Sequence, residues 1–162
     1  MPRTRIGIYT KLFIVILMIE VKEVPIEDAV KVCHTIVEFD SKFEKDYFEQ
    51  RYQGKEYLII VGYFENDPAG FIVGYDKYGD GSFYCWMAGT NPKFRCKGVM
   101  TALMNYEEKW AKEKGYKKIR IKTRNTMRNM LANLVSKGFL FLEVEIREPL
   151  IENRILLEKE IV

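Results

Sequence analysis

The residues best placed to do chemistry lie between Asn91 and Met100, where Arg95, Cys96, Lys97 and Gly98 lead into a long helical pattern beginning at Val99. A strand that ends in a basic, glycine-bearing turn and passes straight into a helix leaves backbone N–H groups without intrahelical partners. The helix dipole adds partial positive charge at the same end. Such a tip binds phosphate. Arg95 and Lys97 add whole charges, and Gly98 lets a ligand approach the backbone closely. The spacing therefore predicts a seat for the pyrophosphate of a phosphate-bearing ligand. Cys96 is a thiol at a helix N-terminus between two cations, a setting that lowers a thiol pKa. No base stands near it in the sequence, so its backbone N–H serves the seat better than its sulfur serves as a nucleophile.

Charge follows the same plan. The formal net charge is only +3, yet residues 93–137 hold 13 Lys/Arg against 3 Asp/Glu and the remainder holds 13 against 20. A basic stretch over the seat suits an anionic cofactor, and would equally suit nucleic acid. Against nucleic acid, no strand there alternates basic and aromatic residues. Cys33, Cys85 and Cys96 are odd in number and scattered, which argues against a disulfide framework or zinc site and fits a reducing cytoplasm. His34 is the only histidine, so no metal centre built on histidines is expected, and its place beside an apolar stripe reads as structural.

The elements that must hold the seat follow from periodicity. A strand is expected over 19–24. A helix opens at Pro25 with Ile26, Ala29, Val30, Cys33 and Val37 on its buried stripe, and a second, capped by Ser41 and Glu44, runs to about Tyr52. Strands over 57–64 and 70–75 form a hairpin around Asn66-Asp67-Pro68. A third antiparallel strand, 82–90, delivers the seat. Helix 99–114 then buries Val99, Leu103, Tyr106 and Trp110 and stops at Gly115. Strand 118–123, a helix through Met127, Met130, Leu131, Leu134 and Val135, and a last hairpin over 139–147 and 154–161 complete the chain. Strand 82–90, its helix and strand 118–123 make a right-handed parallel crossover. Residues 1–17 read as an N-terminal extension, either an added strand or an upstream start, and 18–162 as one domain. The apolar run 12–19 is too short for a bilayer, which needs about 20 residues, so no membrane partner is expected.

With these elements in place, Arg95-x-x-Gly98-x-Met100 resembles the Arg/Gln-x-x-Gly-x-Gly/Ala signature of the GCN5-related N-acetyltransferases (GNAT). The resemblance extends upstream to Ala88-Gly89-Thr90-Asn91-Pro92 and downstream to the closing Lys137-Gly138-Phe139. It implies an α/β (α+β) GNAT-like acyl-CoA acyltransferase fold, with a mixed, mostly antiparallel sheet of about seven strands and about four helices. It also implies acetyl-CoA as the acyl donor, no metal, and direct transfer from the thioester to a primary amine of a small molecule or peptide. The implied cofactor-binding residues are Ala88, Gly89 and Thr90 for the pantetheine arm, Arg95, Cys96, Lys97, Gly98, Val99 and Met100 for the pyrophosphate, and Asn125 and Asn129 from the last helix. Strand 82–90 is expected to be irregular at Ala88 and Gly89.

The sequence departs from the family at several points. Met100 replaces a small residue. The tyrosine that acts as general acid, four residues before the closing glycine, is Leu134. The usual asparagine eleven residues before that glycine is Met127. Lys122 stands where enzymes acting on protein N-termini carry a glutamate. Catalytic candidates are therefore Tyr84, read with Trp86 on the strand face of Ala88, and Glu38, in the loop that borders the acceptor in the family. The missing tyrosine also admits a CoA-binding regulator with little transferase activity. The last strands are available to pair across a homodimer.

Overall fold

The computed structural model describes residues 18–39 and 42–162; the readings for residues 1–17 and for capping by Ser41 lie outside them. One seven-stranded sheet has the spatial order β1 (Ile19–Glu23), β2 (Tyr57–Phe64), β3 (Asp67–Tyr75), β4 (Ser82–Thr90), β5 (Lys118–Arg124), β7 (Arg154–Glu160), β6 (Leu140–Glu145). Every neighbouring pair is antiparallel except β4 and β5. Helices α1 (Ile26–Cys33) and α2 (Lys45–Tyr52) cover one face, and α3 (Val99–Glu113) and α4 (Arg128–Ser136) cover the other. The expected fold class is the one observed.

Covering both faces explains why β2 reads as a continuous apolar run. Leu58 and Ile60 pack toward α3, while Ile59 and Val61 pack toward α1 and α2. Two glycines then fix where α3 begins. A Cβ on Gly70 would lie 2.9 Å from Val99 Cγ1, and one on Gly62 would lie 3.1 Å from the same atom. The first turn of α3 therefore sits directly on bare backbone of β2 and β3, and its N-terminus is held against the end of β4.

Several boundaries differ from expectation for local reasons. The β2–β3 turn is Glu65-Asn66, both at positive φ, so β3 starts at Asp67, before Pro68. Pro25 is the N-cap of α1 and not its first helical residue. The helix ends at Cys33, leaving Val37 80% exposed. Glu44 caps α2 without a side-chain bond. Tyr106 and Trp110 are only partly buried, and Val135 lies exposed.

On α3 periodicity missed Met104, Ala111 and, most unexpectedly, Glu107, which is 1% exposed. Its carboxyl lies against Cys85 and fills the space that a Cβ on Gly74 would approach to 3.1 Å. Among the described residues its Oε1 has no hydrogen-bond partner. Burial raises its pKa from 4.5 to about 8, so the folded chain holds it protonated at neutral pH. Folding then takes up a proton between those two values. Stability is complete below the lower one, falls as pH rises, and has lost this contribution above the higher one. Glu107→Gln keeps the shape and removes the titration. In urea melts at about pH 5 and about pH 8.5, the loss of stability between the two should shrink by roughly 4 kcal/mol in the variant; an unchanged difference would place the proton elsewhere.

Candidate active site

The cleft originates in one extra residue. Gly74 of β3 faces Cys85, but Val73 faces Met87, so Trp86 bulges from β4. Up to the bulge, Ser82–Cys85 pairs in parallel with Lys118–Ile121. Past it, β4 stays with β3 as far as Thr90, while β5 stays with β7 as far as Arg124. The two strands part, and the β4 edge that faced β5 has no sheet partner. This corrects the expected irregularity at Ala88 and Gly89. The bulge also turns the faces over. Trp86 and Met87 both pack with the α1–α2 cluster, and Ala88 packs with the α3 cluster, so Ala88 does not share a face with Tyr84 and Trp86. A bulge adds a residue without a compositional mark. The usable signal was Gly74, whose Cβ would lie 2.5 Å from the Phe83 ring and 2.9 Å from the Tyr84 carbonyl.

At the far end of the parted edge stands the tip of α3. Gly98 is its N-cap at φ 87, no side chain caps it, and the helix opens with Ala102 N–H donating to the Gly98 carbonyl. The amides of Val99, Met100 and Thr101 thus have no intrahelical acceptor. Cys96, exposed and at φ 60, bends the loop that precedes them. The two flanking cations do not plug the tip. Arg95 turns aside to make a double contact with Glu38, at 2.6 and 2.8 Å, and donates to the Thr90 carbonyl at 3.3 Å. Lys97 rests 5.1 Å from the Phe64 ring centre. Met100, the departure from the resembled signature, is half-buried and packs against the core.

Beside the bulge lies a cleft of about 320 Å³, lined by Trp86, Met87 and Ala88 on one strand and Ile121–Arg124 on the other. Glu38, Phe39, Phe43, Tyr47 and Tyr84 close the α1–α2 side, with Met127 and Met130 at the α4 side. Both catalytic candidates therefore line one space. Tyr84 is 4% exposed, and burial pushes its hydroxyl far above the usual phenol range, so it is neutral. Glu38 is held below the usual carboxylate range by the Arg95 hydrogen bond, so it is a weak base. The pairing of Glu38 with Arg95, 57 positions apart, carries no sequence signal.

The helix residues divide. Asn125 donates to the Leu150 carbonyl at 3.3 Å and accepts from Arg128 at 2.9 Å, a local brace. Asn129 is exposed on α4. Neither is among the residues lining the cleft. Leu134, at the tyrosine's place, is fully buried in the core. His34 donates through Nε2–H to the Phe43 carbonyl in the α1–α2 loop at 3.0 Å, a structural contact. Among the described residues no group of His, Cys, Asp or Glu is arranged to hold a metal ion, and no helix is long and apolar enough to cross a membrane.

A sequence profile described as the acetyltransferase (GNAT) family matches residues 24–139, which span both the bulge and the tip. The chain belongs to this family. It is an N-acyltransferase, and acetyl-CoA is its acyl donor. No curated protein sequence matches it significantly. Among solved structures, Ard1 from Thermoplasma volcanium superposes with a TM-score of 0.75 at 16% identity, over 90% of this chain and 99% of that one. The ribosomal-protein-S18-alanine N-acetyltransferase from Escherichia coli gives 0.74 at 15%, over 89% and 94%. Naa50 from Arabidopsis thaliana, in complex with the bisubstrate analogue CoA-Ac-MVNAL, gives 0.70 at 14%, over 88% and 98%. At such identities the likeness is one of fold.

The seat of this acetyltransferase is testable at Gly98. Glu in its place sets a carboxylate at the helix tip and should raise the Kd for acetyl-CoA in calorimetry by about a hundredfold or more. Ala carries the same left-handed strain, about 1–2 kcal/mol, without the charge, and should stay within about tenfold of the parent. Both should keep the parent circular dichroism spectrum. Equal affinities for all three would mean that the pyrophosphate binds elsewhere.

Proposed function

We propose that this acetyltransferase moves an acetyl group directly from the thioester of acetyl-CoA to a primary amine held on the α1–α2 side of the cleft. The observation that carries the reading is the unpartnered edge of β4 running from the bulge to the open tip of α3. In this assignment the amides at the start of α3, with Cys96, Lys97 and Gly98 before them, hold the pyrophosphate. Arg95, steered by Glu38, supplies charge beside it. The backbone of Ala88, Gly89 and Thr90 accompanies the pantetheine arm, and an N–H near Ala88 steadies the thioester oxygen. Asn125 and Asn129 stand at the α4 border of the ligand. The acceptor is a small molecule or a peptide. The peptide-bearing analogue bound to Naa50 supports a peptide, and the Lys at position 122 fits a small molecule equally well.

The chemistry is balanced simply. The nitrogen forms the new C–N bond, the C–S bond of the thioester breaks, the thiolate leaves, and the amine proton passes to solvent through the open side of the cleft. An alkyl amine has a pKa of about 10.4, so roughly one molecule in a few thousand is neutral at pH 7. Glu38, tied to Arg95, is too weak a base to change that proportion. Tyr84, kept neutral by burial, fixes the amine by a hydrogen bond. The setting fits a single-domain enzyme of the cytoplasm, with Cys33, Cys85 and Cys96 all as free thiols. The exposed apolar residues of the edge strand β6, Leu140, Phe141, Leu142 and Val144, support a homodimer.

Thiol release in an amine panel tests the transfer, and its pH profile tests the roles. With no protein base, kcat/KM should climb about tenfold per pH unit from about pH 7 toward the pKa of the acceptor. Tyr84→Phe should lower that line about tenfold at every pH without altering acetyl-CoA affinity. A break near neutrality that vanishes in Glu38→Gln would make Glu38 the base instead.

A further inference from the structure

Beside the aromatic rings that line the α1–α2 side of the cleft lie three cations that, among the described residues, are held on ring faces and not in ion pairs. The Lys77 ammonium lies 4.6 Å from the Tyr84 ring centre and 5.3 Å from that of Tyr78. The Arg51 guanidinium lies 5.3 Å from Trp86 and 5.7 Å from Tyr47. Lys55 lies 5.2 Å from Tyr75. Among the described residues, none of the three makes an ion pair or a hydrogen bond with a carboxylate, and Glu145 acts on Lys77 only through its charge. Lys122 of β5 joins them, sharing Glu145 at 3.4 Å. Arg120 nearby is a contrast, since Glu158 and Asp80 satisfy it at 2.7 and 2.8 Å. Lys77 is half-buried, and its pKa is depressed by burial and then by the charges of Lys122, Arg51 and Lys55, against a smaller opposing pull from Glu145. A partly desolvated ammonium among like charges costs free energy that an anion would offset.

The position of this cluster ties it to the acceptor. Tyr47, Tyr84, Trp86 and Lys122 line the cleft, and Arg51 and Lys77, which do not line it themselves, lie on three of those rings. The tip of α3, which faces the phosphates, is served by other residues. We propose that the amine taken by this enzyme carries its own anionic group, a carboxylate on an apolar or aromatic frame. Lys77, with Arg51 and Lys122, receives that group, and the rings of Tyr84 and Trp86 receive the frame. The inference rests on the amine-transfer reading above.

The test uses matched amines that differ in the acid group: L-phenylalanine against phenethylamine, para-aminomethylbenzoate against benzylamine, and an acidic-tailed tripeptide against its amide-tailed counterpart, with spermidine as a polycation. In at least one pair the acidic member should have a kcat/KM about tenfold or more higher, and the pair that shows it tells a small acid from a peptide. Lys77→Gln, and separately Arg51→Gln, should bring that ratio toward one by raising KM for the acidic amine. Two variants from different elements guard against a folding defect in either, checked by circular dichroism. Preference for the neutral amines or spermidine overturns the proposal and leaves amine transfer standing. So does a Lys77→Gln enzyme whose KM rises for acetyl-CoA alone. Thiol release with no amine in the panel defeats the transfer reading and this one together.

Discussion

The cleft exists because β4 holds one residue more than β3 can match. With Gly74 against Cys85 and Val73 against Met87, Trp86 has no place in the ladder, and the strand bends away from β5 after four paired residues. The bend is stabilised from both sides of the sheet. Below it, Gly74 has no Cβ, which leaves room for the Phe83 ring and the Glu107 carboxyl. Above it, Trp86 packs on Phe48 and Tyr47 with ring centres 5.3 and 5.5 Å away. A site whose opening is set by backbone pairing keeps its geometry while the side chains around it vary. That is consistent with a shared fold at 14–16% identity.

Electrostatics differ between the two ends of β4. At one end the positive tip of α3 is left open, and the Arg95–Glu38 pair joins the loop before it to the segment after α1. Side-chain exposures of 42% and 34% make that pair a modest contributor to stability. Its consequence is orientation, because it keeps the guanidinium off the helix amides and the carboxylate ionised. At the other end Arg51, Lys55 and Lys77 lie on aromatic faces. The quadrupole of a ring gives a cation part of what a carboxylate would, but leaves its charge uncancelled.

The sequence was legible where period and punctuation are strong. The β2, β4 and α3 patterns, the stop at Gly115 and the bare helix start at Gly98 could be read because each depends on residues close in the chain. What escaped depends on contacts between distant residues. Trp86 looks like any strand aromatic until Gly74 is set opposite. Glu107 looks like a solvated helix acid until Cys85 and Gly74 are placed beneath it. The face of Ala88 followed from an alternation that the bulge breaks. Lys77 and Arg51, from a loop and a helix 26 positions apart in the sequence, converge only because β3 and β4 bring Tyr75, Tyr84 and Trp86 together.

The absent tyrosine acid is less of an obstacle than it looks. A simple thiol has a pKa of about 8.5, so a thiolate leaves near neutrality with little help, whereas an alkyl ammonium at about 10.4 must first lose its proton. The harder half of the reaction is therefore at the amine, on the side where Lys77, Arg51 and Lys122 gather. A positive field disfavours every ammonium placed in it, and at Lys77 it adds to the burial that chiefly depresses the pKa. An acceptor drawn in by a carboxylate would bring its nitrogen into the same field and shed its proton more readily. On that reading the cations that select an acidic amine also ready it for attack, and Leu134 can remain a core residue.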